Sequence, residues 1–406
     1  MRLNHYIKRV GLALGASVFA LSAQAQLATN LLIDPVAMSL GNAVTASPPG
    51  LSGVHFNPAA LANIKGRHIQ FNFLAAMLEF ESEYSAGDDY EFFGYSDDPV
   101  VCEQPGENGS CAKFKTTKSK TRGISAIIPL RDRFLDLPPG PLVNPLLLPS
   151  IAIRAPDSKY TFASGISAPL AAGYYRDPDD VGNFMGQRVG LLRVNYLTPS
   201  VGFDITDELS VGATINFAYQ ALGFESDVRS PNDLTGMLRY LHESVCTPFD
   251  GEGNLVTDIF LFGLCNSDDS IGPFSKLADL RLVEKDTLSP NFHLGVMWEP
   301  TRDFSWGAVF QSAAQVDMSG QFRVRSSQEI RNAINAIGSS PTGAIALQIL
   351  GIPVNIPEEQ MGTVTQRFSF PAHFQTGIKY RLFDQVGLSF DVGWSNYSEW
   401  DNINLR

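Results

Sequence analysis

The run Leu209-Ser210-Val211-Gly212-Ala213-Thr214-Ile215-Asn216-Phe217-Ala218-Tyr219-Gln220 decides how this chain folds. Leu209, Val211, Ala213, Ile215, Phe217 and Tyr219 make one apolar face, while Ser210, Gly212, Thr214, Asn216, Ala218 and Gln220 make a small or polar one. Side chains that alternate with period two lie on opposite faces of a strand. The pattern recurs. Phe292, Leu294, Val296 and Trp298 alternate with His293, Gly295, Met297 and Glu299. Phe304, Trp306, Ala308 and Phe310 alternate with Ser305, Gly307, Val309 and Gln311. Phe374, Thr376, Ile378, Tyr380 and Leu382 follow the same rule, as do Val386, Leu388, Phe390, Val392 and Trp394.

A soluble sandwich also alternates, but three features favour a membrane barrel. The segments run to roughly 15–20 residues, against about 5–6 for an ordinary strand. Short connections (156–159, 206–208, 300–302, 383–385) alternate with long ones (85–148, 229–281, 326–362), as in outer-membrane barrels. Trp298, Trp306, Tyr380, Trp394, Tyr397 and Trp400 lie near segment ends, where an aromatic girdle belongs. Strands cross lipid only if they close on themselves, because no water is present to satisfy an open edge. The expected fold is therefore all-β, an antiparallel transmembrane β-barrel. Strands are expected at 67–84, 149–155, 160–175, 187–205, 209–227, 284–299, 303–325, 363–382 and 386–405. Bacterial barrels normally have an even number of strands. An odd count, in a chain that stops at Arg406 in strand pattern, leads to the expectation of a fragment lacking its C-terminal strands.

Composition agrees. The 406 residues are 44% hydrophobic and carry 30 Lys plus Arg against 42 Asp plus Glu, a net charge of −12. That acidic balance excludes a nucleic-acid partner. No stretch approaches the ~18 apolar residues of a spanning helix. At the N-terminus, basic Arg2, Lys8 and Arg9 precede an apolar stretch at 11–21 and the small-x-small site Ala23-Gln24-Ala25. Residues 1–25 thus read as a signal peptide, and the mature chain meets an oxidising compartment. Four cysteines allow three pairings. The local ones, Cys102 with Cys111 and Cys246 with Cys265, each staple a long polar loop.

The long loops also carry helical signals. Ser230-Pro231 opens a segment with Leu234, Met237, Leu238 and Leu241 on one face. Ser326 and Glu329 have capping-box spacing, Ile330, Ala333, Ile334 and Ile337 form a stripe, and Gly338 can end it. Apolar runs follow at 259–264, including Phe260 and Phe262, and at 344–352, including Ile345 and Ile349. These helices either pack on one another as a lid or offer a greasy landing groove. Leu234, Leu238, Leu241, Phe260, Phe262, Ile334, Ile345 and Ile349 are the groove candidates. The proline-rich stretch 135–149 reads as an extended loop segment.

Ahead of the first strand lie Ala37-Met38-Ser39-Leu40-Gly41-Asn42-Ala43 and Gly53-Val54-His55-Phe56-Asn57-Pro58-Ala59-Ala60-Leu61. A small-residue segment, then Asn-Pro-Ala, then a strand from Arg67, resembles the FadL-type long-chain fatty-acid transporters of the bacterial outer membrane. Their TodX-like relatives take up aromatic hydrocarbons. The resemblance covers 27–406 and includes the strand order and the apolar loops after the fifth and seventh strands.

It implies a barrel of about 14 strands when complete, with helical extracellular loops and a hatch, here 26–65, inside the barrel at 66–406. It implies capture at the two apolar loops, lumenal binding, and lateral release at a kink in the third strand. Asn57, Pro58 and Ala59 of the hatch would lie near that opening. The third-strand segment contains Gly165, Pro169 and Gly173, and a mid-strand proline independently permits a break there. A fatty acid needs a basic group for its carboxylate. Lys379 and Arg381 have the lumen-facing parity, with Arg193, Lys285, Arg323 and Arg325 as further options; a solvated charge at the rim, periplasmic for Lys379 and Arg381, is the other reading for each. A hydrocarbon needs none.

No G-x-S-x-G, H-E-x-x-H or P-loop pattern occurs, so no enzyme is expected. No histidine has a partner at metal-site spacing, and no metal or cofactor is expected. Acidic runs such as Asp177-Pro178-Asp179-Asp180 read as solvated loop, with weak Ca²⁺ or lipopolysaccharide-bridging cation binding as the other reading. The expected function is passive outer-membrane transport of a hydrophobic small molecule by a monomer surrounded by lipid and lipopolysaccharide. Fatty acid comes first and aromatic hydrocarbon second. A general porin and a surface receptor are the alternatives.

Overall fold

The computed structural model describes residues 33–74, 77–86, 98, 100–106, 111–125, 146–230, 233–246, 262–266, 271–383 and 386–396. The expected signal peptide, Tyr397 and Trp400 lie outside them. The described strands are β1 (Gly66–Leu74), β2 (Met77–Tyr84), β3 (Cys102–Pro105), β4 (Cys111–Phe114), β5 (Thr117–Ser125) and β6 (Leu146–Arg154). Next come β7 (Tyr160–Gly165), β8 (Ser167–Tyr175), β9 (Arg188–Leu197), β10 (Ser200–Asp204), β11 (Leu209–Val228) and β12 (Ala278–Trp298). The last are β13 (Phe304–Gln311), β14 (Ala314–Ser326), β15 (Glu359–Phe370), β16 (His373–Phe383) and β17 (Val386–Ser395).

All but β3 and β4 join one antiparallel sheet. In sequence order they form nine spanning strands, most of them interrupted once: β1–β2, β5–β6, β7–β8, β9–β10, β11, β12, β13–β14, β15–β16 and β17. The period-two reading sets the faces correctly. Ile215, Phe292, Leu294, Phe374, Ile378 and Phe390 point outward and are exposed, whereas Thr214, Asn216, Gln220 and His293 point inward and are buried. Trp298 pairs across strands with Trp306, and the Tyr160 and Phe203 rings stack at 4.7 Å, so aromatic groups cluster at the short-turn end. No described helix is long and apolar enough to cross a membrane.

The second spanning strand differs from its expected place. Its outer half, β5, pairs with β2 inside the stretch read as loop, and its inner half, β6, pairs with β1. Residues 126–145 separate the halves. The reason is chemical. Lys118, Lys120 and Arg122 face Glu83, Glu81 and Glu79 across the ladder, and Lys118 bonds Glu81. Alternation of charge with polar residues carries no hydrophobic period, so this strand is held by cross-strand pairing rather than lipid contact.

Both loop disulfides are local: Cys102 joins Cys111 and Cys246 joins Cys265. Five helices are numbered here: α1 (Pro35–Ser39) and α2 (Gly53–Phe56) in the hatch, then α3 (Asp233–Leu241), α4 (Gln328–Ser339) and α5 (Pro341–Ile349) in the long loops. The cap of α4 is Ser327, whose Oγ accepts the Ile330 N–H, and not Ser326. Ser326 still belongs to β14 and pairs with Ala278.

Candidate functional site

Residues 33–65 fold into the barrel at the short-turn end. Asp34 caps α1 and also accepts from Ser52 Oγ and Asn72 Nδ2, which ties the start of the hatch to the first strand. Leu51, Val54 and Leu61 pack with Ala152 and Ala163 of the second and third strands. Asn57 is fully buried. Its Nδ2 donates to Thr45 O (2.9 Å) and to Val296 O of the wall (3.1 Å), and its Oδ1 caps the next turn at the Ala59 N–H. Thr214 Oγ1 donates to Val54 O, and Gln311 Nε2 donates to His55 O. Lys379 Nζ donates to Ser47 Oγ, and Asp391 accepts from the Thr45 N–H. Arg154 holds both Ala62 O and the Asp204 carboxylate.

Close approach of hatch and wall depends on missing side chains. Gly202 pairs with Gly212, and Gly212 with Gly295, so three glycines form one inward row across β10, β11 and β12. A methyl group at Gly212 would fall on the Pro58 backbone, and one at Gly295 on Asn57 Oδ1. This corrects the expected position of Asn57, Pro58 and Ala59. They sit against the fifth and sixth strands, where glycine leaves room, and not at the third-strand kink.

The kink itself is present. β7 ends at Gly165 and β8 begins at Ser167. Toward the fourth strand the kink is clamped. Thr198, fully buried, accepts the Gly165 N–H and donates to the Gly165 carbonyl, both at 2.8 Å, and Asn195 Nδ2 donates to Ser167 Oγ. Toward the second strand, Ile166 N–H donates to Pro149 O, and pairing resumes only at Ala172 with Ser125. Residues 167–171 have no second-strand partner among the described residues. Pro169 lies in the register shift between Ser167 and Leu170. Gly173 pairs on both sides, with Ile124 and Gly190.

Beside the kink lies a lumenal row. Leu170 pairs with Arg193, Arg193 with Gln220, and Gln220 with Asp286. Arg193 is only 5% exposed, its guanidinium lies 4.8 Å from the Phe370 ring centroid, and its Nη2 donates weakly to Asn291 at 3.4 Å. Its Nη1 has no hydrogen-bond partner, nor do Gln220 Nε2, Gln366 Oε1 and both oxygens of Glu284. Buried polar atoms normally have partners.

The sequence listed Arg193 only as a further option and placed Lys379 and Arg381 first. Lys379 and Arg381 instead line a polar cavity of about 490 Å³ at the short-turn end, with Arg302 and Asp303. Parity alone could not separate rim from mid-lumen. The signal for Arg193 was a lone arginine in an otherwise apolar inward run, Val189, Leu191, Arg193.

At the outer end, α4 and α5 pack together, burying Ala333, Ile334 and Leu347. Ile334 is thus helix core and not groove lining. Ile349 is 79% exposed, and Phe262 and Ile345 are exposed as well. A Cβ on Gly343 would fall on Phe262 O, so the loops after β11 and β14 touch. Leu238 and Leu241 of α3 are half-buried. The side chain of Leu234, and Phe260, lie outside what is described. No group of metal-ligating side chains occurs among the described residues.

A curled antiparallel sheet with an outward apolar face, a hatch inside it and helical loops outside defines an outer-membrane β-barrel of the plugged type. The family model described as "Outer membrane protein transport protein (OMPP1/FadL/TodX)" matches residues 13–406, and the chain belongs to that family. No curated protein is significantly similar in sequence. Among solved structures, the Ralstonia pickettii toluene transporter TbuX is 17% identical, with a TM-score of 0.54, over 93% of this chain and 75% of that one. A Pseudomonas aeruginosa FadL homologue is 16% identical, with a TM-score of 0.53, over 94% and 70%. The P. putida toluene transporter TodX is 12% identical, with a TM-score of 0.51, over 93% and 73%. At these identities the likeness shows the fold. Family membership makes the protein an outer-membrane transporter of hydrophobic compounds and not an enzyme.

Proposed function

We propose that this chain carries long-chain fatty acids, with Arg193 receiving the carboxylate inside the barrel. The observation that carries the reading is a buried guanidinium with an unmet donor, on the lumenal row that ends at Leu170 beside the third-strand kink. A charge-assisted hydrogen bond from arginine to carboxylate is about twice as strong as a neutral one. The alkyl chain would lie along Val316, Met318 and Phe368, which share the lumenal face of β14 and β15. Phe262, Ile345 and Ile349 would gather ligand outside, and 167–171 would release it sideways toward the lipid. The outer wall would meet membrane lipid, with the charged β2–β5 ladder at the level of lipopolysaccharide head groups. A monomer would suffice.

Aromatic hydrocarbon is the second reading. It is favoured by the apolar lumenal residues and by the toluene transporters that share the fold. Calorimetric titration of the detergent-folded protein with oleate and with toluene separates the two. Arg193→Met is expected to weaken oleate binding about tenfold or more, the range of a lost charged hydrogen bond, and to leave toluene unchanged. Toluene binding without oleate binding would overturn the fatty-acid reading.

A further inference from the structure

The outer wall carries two charged regions above its apolar band, and they differ in balance. On β12 the band runs outward-facing from Trp298 through Leu294 and Phe292 to Leu288, all exposed. The span from Trp298 to Leu288, at about 3.4 Å per residue and a tilt of about 40°, rises about 26 Å, the height of the apolar band of an outer-membrane barrel. Beyond Leu288 the register of β12 against β11 shifts, and Lys285 takes the outward side opposite Ser319 of β14. Arg281 follows on the same face, opposite Arg323 and about 10 Å farther from the band by the same rise and tilt. The face is fixed by β14, where Ser319, Gln321, Arg323 and Arg325 are exposed and alternate with half-buried Gly320, Phe322 and Val324.

The β2–β5 ladder neutralises itself, with Glu79, Glu81 and Glu83 opposite Arg122, Lys120 and Lys118. The β12–β14 face does not. Arg281 and Arg323 form one cross-strand pair of like charge, which is destabilising taken alone. On its other side Arg323 stands opposite Met361, and Gln321 and Ser319 stand opposite Thr363 and Thr365. The nearest acids are shared with other bases: Glu225, opposite Arg281, with Arg188 at 3.9 Å, and Glu359 with Arg325 at 3.9 Å. A basic face that begins where the apolar band ends is the complement of an anionic lipid head whose acyl chains lie on that band.

We infer that β12 and β14 form a binding face for one lipopolysaccharide molecule. Its acyl chains lie on Leu288 and Phe292, a lipid A phosphate meets Lys285, and acidic inner-core sugars bridge Arg281 and Arg323. Guanidinium groups bind phosphate and carboxylate oxygens through paired, charge-assisted hydrogen bonds, and an anion between the two arginines removes their repulsion. The inference rests on the outer-membrane location and not on which ligand the lumen carries.

The test is native mass spectrometry of the full chain in detergent, titrated with deep-rough lipopolysaccharide and, separately, with phosphatidylglycerol. Affinities are checked by calorimetry at about 0.15 M salt, where charges more than about 8 Å apart are screened. The parent is expected to hold one lipopolysaccharide molecule tightly. The double variant Arg281→Gln/Arg323→Gln should weaken it about tenfold or more, and Arg281→Lys/Arg323→Lys should recover most of the loss. Lys118→Gln/Lys120→Gln removes the same charge from the ladder and should leave binding unchanged. Equal binding by the parent and Arg281→Gln/Arg323→Gln would overturn the site. Equal weakening in Lys118→Gln/Lys120→Gln would reduce the effect to overall charge and overturn it too. Phosphatidylglycerol bound as tightly as lipopolysaccharide would overturn the choice of occupant.

Discussion

The two halves of the lumen use one wall in opposite ways. At the short-turn end, Gly202, Gly212 and Gly295 clear space, and the hatch fills it with its own backbone. There the polar groups find each other: Asn57 with Thr45 and Val296, Thr214 with Val54, Lys379 with Ser47. About ten residues further along the same strands, Gln220, Glu284 and Arg193 point into the same interior with side-chain atoms that have no protein partner. The lower half is a closed contact between two parts of one chain. The upper half carries buried polar atoms that the hatch does not pair.

The largest effect should come from breaking the glycine row. Gly295→Leu places its side chain on Asn57, which cannot swing away without losing the turn it caps. Overpacking of this kind costs about 3 kcal/mol or more. The hatch should be displaced, and single-channel recordings in a planar bilayer should change from quiet to conducting. A quiet Gly295→Leu channel would mean that the lower half is not the tight contact described.

A smaller effect is expected from Asn57→Ala. It leaves the Thr45 and Val296 carbonyls without this donor and the Ala59 N–H uncapped, at a cost of about 2–4 kcal/mol. The hatch should become protease-sensitive at lower urea while the barrel keeps its β-signal. Equal resistance in mutant and parent would assign the hatch's hold to Leu51, Val54 and Leu61 instead.

The smallest effect concerns acid. Burial, with added positive field from His373 and Arg193, pushes the His55 imidazole from 6.5 down to about 3. The docked hatch holds His55 neutral, and a released hatch would let it take a proton. Docking is therefore at full strength above about pH 6.5 and weakens as pH falls toward 3. Hatch proteolysis should quicken at pH 4.5 relative to pH 7, and His55→Asn should flatten that difference. The same acceleration in His55→Asn would remove His55 from the account.

Much of this was legible in the chain. Alternation along Leu209–Val228 and Ala278–Trp298 placed those strands and their faces, because lipid on one side and lumen on the other impose a period-two contrast. The local disulfides were legible from spacing and compartment. The outer half of the second strand was not, since a ladder of Glu79, Glu81 and Glu83 against Arg122, Lys120 and Lys118 has no apolar face to read. The position of Asn57 was missed as well. Nothing in Asn-Pro-Ala says which strands carry glycine opposite it.

The sequence by itself determined the strands, their inside and outside faces, and the helical loops, while the hatch segment came from the resemblance to the FadL-type family. The strands and loops are written in hydrophobic period, turn chemistry or cap residues, which act over a few neighbours. Only the tertiary structure decided that Arg193 is buried beside the third-strand kink while Lys379 tethers the hatch, and that Arg229 lies over the Phe184 ring. Those residues are far apart in the chain. Their meeting depends on strand register and on loops folding across the barrel mouth, and no local pattern records it.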